Sequence, residues 1–309
     1  MAQIVISEFM DQAAVDELAA KFSVLYDKTL VDDPDRLKVE VASCSALIVR
    51  NKTQVRGELL NNAPKLKVVG RLGVGLDNID VQGCQNLGIT VIPATGANSS
   101  TVAEYTLAAL LMLARGCYES SPAVLQGLWP REFMIGGEIL GKTLGLVGFG
   151  GIAREVAKRA QVFGMLIQAY DPFLPESSTL WAEYACTPVS LDTLLATSDF
   201  ISLHVPLTPE TKHLINRESI AKMKDQAKII NTARGGIIDE EALVEALNSD
   251  KLAGAMLDVF SQEPLKANSC LAKAKNCLVT PHIAGVTRES NTRVSQLIAQ
   301  KVAQALGGM

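Results

Sequence analysis

Three stretches of the sequence each end in one polar residue of a type suited to moving a proton or holding a carboxylate. Ile230-Asn-Thr-Ala-Arg234-Gly-Gly offers a guanidinium, Leu257-Asp258-Val-Phe-Ser-Gln-Glu263-Pro a carboxylate, and Thr280-Pro-His282-Ile-Ala-Gly an imidazole. Any one of them alone reads as well as a surface ion pair, a solvated acid or a turn histidine. Each, however, follows a short apolar run that reads as a strand, so all three belong at the C-terminal edge of one parallel sheet, where α/β sheets open a ligand crevice. His282 there can take a proton from a hydroxyl and return it to a carbonyl. Glu263 would fix its tautomer and stabilise the imidazolium that forms. The planar fork of Arg234 matches a carboxylate and polarises a carbonyl beside it. His204 and His213 lack such companions and read as structural.

Proton movement of this kind needs a hydride acceptor, and the sequence holds a site for one. The run Thr143–Val147 reads as a buried strand, followed by Gly148-Phe-Gly150-Gly151-Ile152-Ala153 and a helical pattern from Gly151 to Phe163. Strand, tight glycine turn and helix start are what a dinucleotide pyrophosphate requires: Gly148 for the turn, Gly150 for close backbone approach, and the unpaired N–H groups of the helix start. A second strand, Ile167–Tyr170, is closed by Asp171, a carboxylate placed to accept ribose hydroxyls and repel a 2′-phosphate. NAD is therefore the expected cofactor. A nearby stretch, Gly136-Gly-Glu-Ile-Leu-Gly141-Lys142-Thr143, matches a phosphate-loop pattern letter for letter. It precedes a strand instead of joining strand to helix, so the mechanics of that motif are absent.

The elements that position these groups alternate along the chain. Strands are expected at 4–6, 24–26, 46–49, 67–69 and 90–92, then at 143–147, 167–170, 200–204, 228–231, 255–259 and 278–280. Helices are expected at 10–21, 98–115, 151–163, 191–196, 240–247 and 289–306. Such alternation argues parallel α/β sheets. The helix at 98–115 is apolar on nearly every side, which calls for wide burial between domains or subunits. The closing helix follows the last strand and is expected to return to the N-terminal half. No glycine fingerprint follows the first strand, so the nucleotide site belongs to the second half.

Length and composition agree. With 309 residues there is room for two cores, and 48% hydrophobic with 20% charged residues fits a globular protein. A net charge of −4 gives no general attraction to nucleic acid or anionic membrane. The six cysteines (44, 84, 117, 186, 270 and 277) are scattered, which suits reduced thiols in a cytoplasm and no metal site. The N-terminus lacks the charged and apolar pattern of a signal peptide, and the longest apolar stretch is too short to span a bilayer. An anionic substrate would therefore need local cations. Arg50-Asn51-Lys52 and Arg71-Leu-Gly73 leave two strands of the first half and are expected to open toward the same crevice as Arg234, with Arg131 after Trp129-Pro130 a further candidate. One cation suffices for a carboxylate, so these suggest a second anionic group on the substrate.

Taken together, Gly148-Phe-Gly-Gly-Ile-Ala, Asn231-Thr-Ala-Arg234-Gly-Gly, Leu257-Asp-Val-Phe…Glu263-Pro and Thr280-Pro-His282 resemble the D-isomer-specific 2-hydroxyacid dehydrogenases, in the branch similar to D-3-phosphoglycerate dehydrogenase. The resemblance implies two doubly wound parallel-sheet domains. One is a flavodoxin-like substrate domain of residues 1–97 plus 285–309, the other an inserted Rossmann NAD domain of residues 98–284. It implies catalysis by Arg234, Glu263 and His282. It also places Gly148, Gly150, Gly151, Ile152, Asp171, Val205, Pro206, Thr232, Ala233, Arg234, Asp258, His282 and Gly285 at the cofactor. Arg50, Asn51, Lys52, Arg71, Gly73, Arg234 and His282 would meet the substrate, 3-phosphoglycerate or 3-sulfolactate being the named candidates. A homodimer formed through the NAD domains, or a tetramer, is implied as well. Val74 stands where the family often has Thr, which removes one hydroxyl contact to the cofactor. The C-terminal regulatory domain that some phosphoglycerate enzymes carry is not expected, nor serine feedback with it. The family also contains NAD-binding transcriptional corepressors, against which the intact Arg-Glu-His set argues. Formate dehydrogenases pair the histidine with Gln, where this chain has Glu263.

Overall fold

The computed structural model describes residues 2–116 and 120–307, so Cys117 lies outside the described residues. The chain divides into two compact units, Met1–Asn98 with Val286–Met309, and Ser99–Gly285.

In the first unit, β1 (Ile4–Ile6), β2 (Val24–Tyr26), β3 (Ala46–Val49), β4 (Val68–Arg71) and β5 (Thr90–Pro93) form a sheet in the order β2-β1-β3-β4-β5. Every pairing is parallel, and the order is that of flavodoxin-like folds. Both faces are covered, because alternate strand residues go to opposite sides. Ile4, Ile6, Ala46 and Ile48 pack with Ile298 and Val302 of the closing helix Arg288–Gly307, while Val5, Leu47 and Val49 pack with Leu37, Val41 and Leu59 on the other side. The helix expected at 10–21 is shorter, Gln12–Ala19, because Asp11 accepts the N–H of Ala13 at 3.2 Å and caps it. The helix Pro34–Val41 was not anticipated, although its signals are in the sequence: Asp33 caps the Arg36 N–H at 3.1 Å and Pro34 opens the first turn.

In the second unit, β6 (Thr143–Val147), β7 (Leu166–Tyr170), β8 (Thr187–Pro188), β9 (Phe200–Leu203), β10 (Ala227–Asn231), β11 (Leu252–Leu257) and β12 (Cys277–Val279) lie in the order β12-β11-β10-β9-β6-β7-β8, all parallel. The order reverses between β6 and β9, the switch point of a Rossmann sheet. The helix Ser99–Arg115, expected to be widely buried, packs within this unit against the helix Gly151–Val162 and the sheet, through Ala103, Leu107, Leu110 and Ala114. The two-residue strand β8 was not foreseen. Residues 136–142 of the phosphate-loop look-alike form neither helix nor strand, and its last residue, Thr143, opens β6. No described helix is long and apolar enough to cross a membrane.

Candidate active site

Six strand ends of the second sheet carry the residues singled out in the sequence. After β6 the chain turns at Gly148, whose φ is +88° and where a Cβ would come within 2.7 Å of the His204 carbonyl oxygen. Only glycine fits such a turn. The helix Gly151–Val162 then begins at Gly150 with no side-chain cap on its first N–H groups, which leaves the positive end of the helix for an anion. Ile152 is partly buried and Ala153 fully so against the strand. After β7, Asp171 accepts the Phe149 N–H at 2.9 Å on one oxygen and the Phe173 N–H at 3.0 Å on the other. Its carboxylate is thus pinned beside the glycine turn. Val205 and Pro206 follow β9, and Thr211 anchors this loop by donating its hydroxyl to the Pro206 carbonyl at 2.6 Å.

After β10, the buried Asn231 shapes the arginine loop: its amide donates to the Arg234 carbonyl at 2.9 Å and its oxygen accepts the Ala233 N–H at 3.0 Å. Gly235 lies so close to Phe260 that a Cβ would sit 1.8 Å from its carbonyl oxygen. The Thr232 hydroxyl is buried without a hydrogen-bond partner, a group that a bound cofactor would satisfy. With the bare helix start and the pinned Asp171, it makes these residues fit NAD.

Asp258 does more than the sequence suggested. The strand expected to run to 259 stops at Leu257, and the buried Asp258 carboxylate turns to the histidine loop. It accepts the Thr280 hydroxyl at 2.6 Å and the Ile283 and Ala284 N–H groups at 2.8 Å each, while its own carbonyl takes the His282 N–H at 2.9 Å. Tyr105 hydrogen-bonds the Thr280 hydroxyl in turn. Burial pushes the Tyr105 phenol above its usual range, the Asp258 charge adds to this, and the Thr280 hydrogen bond opposes it. So held, His282 adopts a φ of +55°, rare for a non-glycine residue, and its Nδ1 lies 2.8 Å from Glu263 Oε2. The other Glu263 oxygen accepts the Phe260 N–H at 3.1 Å. The imidazole–carboxylate pair is half-exposed, at 48% and 35%. Gly285 closes the unit. His204, set aside as structural, pairs with Ser202 at 2.9 Å, and burial lowers its pKa to about 4.

In the first unit, Arg50, Asn51, Lys52, Arg71 and Gly73 gather at one edge, since β3 and β4 are neighbours with Val49 opposite Arg71. Arg50 reaches Asn291 at 2.9 Å and lies over the Phe9 ring. Arg71 donates to the Leu72 carbonyl at 2.8 Å and folds over Gly73, whose φ is +154°. Lys52 and Asn51 are exposed. Glu8 and Asn78, which hold this edge together, carried no local signal in the sequence.

Residues 107–284 match the sequence profile described as D-isomer specific 2-hydroxyacid dehydrogenase, NAD binding domain. The chain belongs to that family. Among relatives of this dehydrogenase, (S)-sulfolactate dehydrogenase of Chromohalobacter salexigens is 53% identical over 307 residues, covering 99% of both chains. Hydroxypyruvate reductase of Thermotoga maritima is 47% identical, covering 89% of each. Among solved structures, D-lactate dehydrogenase of Aquifex aeolicus complexed with NAD and lactic acid superposes with a TM-score of 0.84 at 31% identity, covering 99% of this chain and 95% of that one. The dehydrogenase is an NAD-dependent oxidoreductase, as the glycine turn and Asp171 led one to expect.

Proposed function

We propose that the dehydrogenase interconverts a D-configured 2-hydroxy acid carrying a second anionic group and its 2-keto acid, with His282 as the proton carrier. 3-Sulfolactate is the foremost candidate and 3-phosphoglycerate the next. The observation that carries the catalytic assignment is the 2.8 Å pair of His282 Nδ1 and Glu263. Glu263 accepts the Nδ1 proton and so leaves Nε2 to take the substrate's hydroxyl proton, returning it in reduction. The charge the ring gains on taking that proton is balanced by the same carboxylate. Arg234 holds the substrate carboxylate through its guanidinium fork. Gly148, Gly150, Gly151, Ile152, Asp171, Val205, Pro206, Thr232, Ala233, Asp258 and Gly285 would hold NAD, which supplies the hydride acceptor when bound.

The tail reading is supported by the cations at the edge of the first sheet, Arg50, Lys52 and Arg71, and by the sulfolactate relative. Each charge-assisted contact to the tail would contribute on the order of 1.5–3 kcal/mol. The (S) descriptor of that relative's substrate agrees with a D arrangement. In sulfolactate the sulfur-bearing carbon outranks the carboxyl group, which inverts the label and not the geometry. A second reading, an acid with an uncharged tail, is favoured by the hydroxypyruvate reductase relative. NADH oxidation with 3-sulfopyruvate, 3-phosphohydroxypyruvate, hydroxypyruvate and pyruvate decides between them. The dianionic acids should give at least tenfold higher kcat/KM. Highest efficiency on hydroxypyruvate or pyruvate would sink the tail reading, and no turnover of any keto acid would favour a regulatory protein.

We also take the chain to work as a cytoplasmic homodimer. The described cysteines are unpaired, and the second unit exposes Trp129, Phe133 and Ile135. The molar mass in solution, measured by light scattering, should be twice that of the chain, and a monomer is the refuting result.

A further inference from the structure

Residues 50–53, which follow β3, belong to no helix or strand, yet one side chain takes every backbone N–H they have. Glu8, two residues beyond β1 and 5% exposed, accepts the N–H groups of Arg50 and Thr53 on Oε1, each at 2.9 Å. Its Oε2 accepts those of Asn51 at 3.2 Å and Lys52 at 3.1 Å. Asn78, equally buried, grips the same loop by its carbonyls: its amide donates to Thr53 at 2.7 Å and to Arg50 at 3.3 Å. The Ser7 and Thr53 hydroxyls add a contact of 2.9 Å.

An ionised carboxylate has about four acceptor directions, and Glu8 gives all of them to the loop. Burial pushes its pKa up, but the hydrogen bonds from Thr53, Arg50 and Lys52 outweigh burial and hold the acid below its usual range. Two consequences follow. Glu8 has no acceptor left for a ligand. The loop's N–H groups face inward, so an anion at this edge must be read by side chains, those of Arg50 and Lys52 above all.

We propose that Glu8 and Asn78 are positioning residues that set the specificity of the dehydrogenase for an anionic tail, by fixing the loop that presents Arg50 and Lys52. This rests on the reading that this loop meets the second anionic group. Glu8→Gln keeps the size of the side chain but replaces one acceptor oxygen by a donor, so two inward N–H groups lose their partner. KM for 3-sulfopyruvate should rise tenfold or more, with kcat at saturation within about threefold of the parent and KM for hydroxypyruvate within about twofold. Asn78→Ala should show the same split, and it decides the matter if Glu8→Gln fails to unfold cooperatively. A merely structural loss would weaken both substrates together or lower kcat alone, and either result overturns the proposal. Lys52→Ala separates the two levels of argument. If it leaves KM for 3-sulfopyruvate unchanged, the tail reading itself fails. If it raises KM while Glu8→Gln and Asn78→Ala do not, the loop binds the tail and the positioning role is refuted.

Discussion

Replacing Asp258 by Asn tests how the histidine loop is held. The carboxylate is 1% exposed and accepts three hydrogen bonds from that loop, two of them from backbone N–H groups on different oxygens, Ile283 on Oδ1 and Ala284 on Oδ2. An asparagine amide has one acceptor oxygen, so in either orientation one of those N–H groups meets an NH2. The Thr280 hydroxyl can rotate away, but a backbone N–H cannot. Leaving one buried donor unmade costs about 1–3 kcal/mol, and the remaining bonds lose their charge assistance. We expect Asp258→Asn to destabilise the protein by about 2–4 kcal/mol in urea unfolding. Because His282 takes its φ of +55° from this loop, relaxation should move the imidazole by a fraction of an ångström to an ångström. Misplacement on that scale lowers kcat by about a hundredfold. Stability within about 0.5 kcal/mol of the parent, with kcat within twofold, would refute the reasoning. A rise confined to KM for NADH would assign Asp258 to the cofactor alone.

His282→Ala should lower kcat by about two to four orders of magnitude while NADH binding, followed by fluorescence titration, stays near normal; retention of more than about half the activity would remove it as proton carrier. Glu263→Gln should cost less at neutral pH and displace the pH optimum of kcat, and an unmoved profile would count against its electrostatic role. Asp171, pinned at the glycine turn by the Phe149 and Phe173 N–H groups, should favour NADH over NADPH by more than about 1.4 kcal/mol, roughly tenfold in kcat/KM, and equal use of both cofactors would contradict this. His204 binds its proton at about 4 in the folded chain and near 6.5 when unfolded. The unfolded state therefore holds more protons in that window, so stability is full above about pH 6.5 and falls as pH drops toward 4, by up to about 3 kcal/mol. His204→Gln should flatten the dependence of urea stability on pH over that range, and an unchanged slope would refute the assignment.

Much of this molecule was legible in the sequence because its signals are local. Apolar runs of strand length, the glycines at 148 and 150, and Asp171 one residue past a strand each depend on neighbours within a few positions. So did the placing of Arg234, Glu263 and His282 after strands, since a parallel sheet puts the residues after every strand on one edge. Short elements were harder. The strand Thr187–Pro188 exists only through its pairing with Gln168 and Ala169, which no local pattern encodes.

What the tertiary structure alone decided is which buried polar group serves which loop. Glu8 finds Arg50 and Thr53 because β1 lies beside β3, with Ile6 opposite Ile48, and Asn78 reaches the same loop from beyond the neighbouring strand. Asp258 finds Ile283 and Ala284 because β11 and β12 pair with Leu257 opposite Val279. In sequence Glu8 is one more acid after a strand and Asp258 one more turn residue. A carboxylate's chemistry is set by the donors around it, and those donors come from segments dozens of residues away that only strand order and register bring within hydrogen-bond distance.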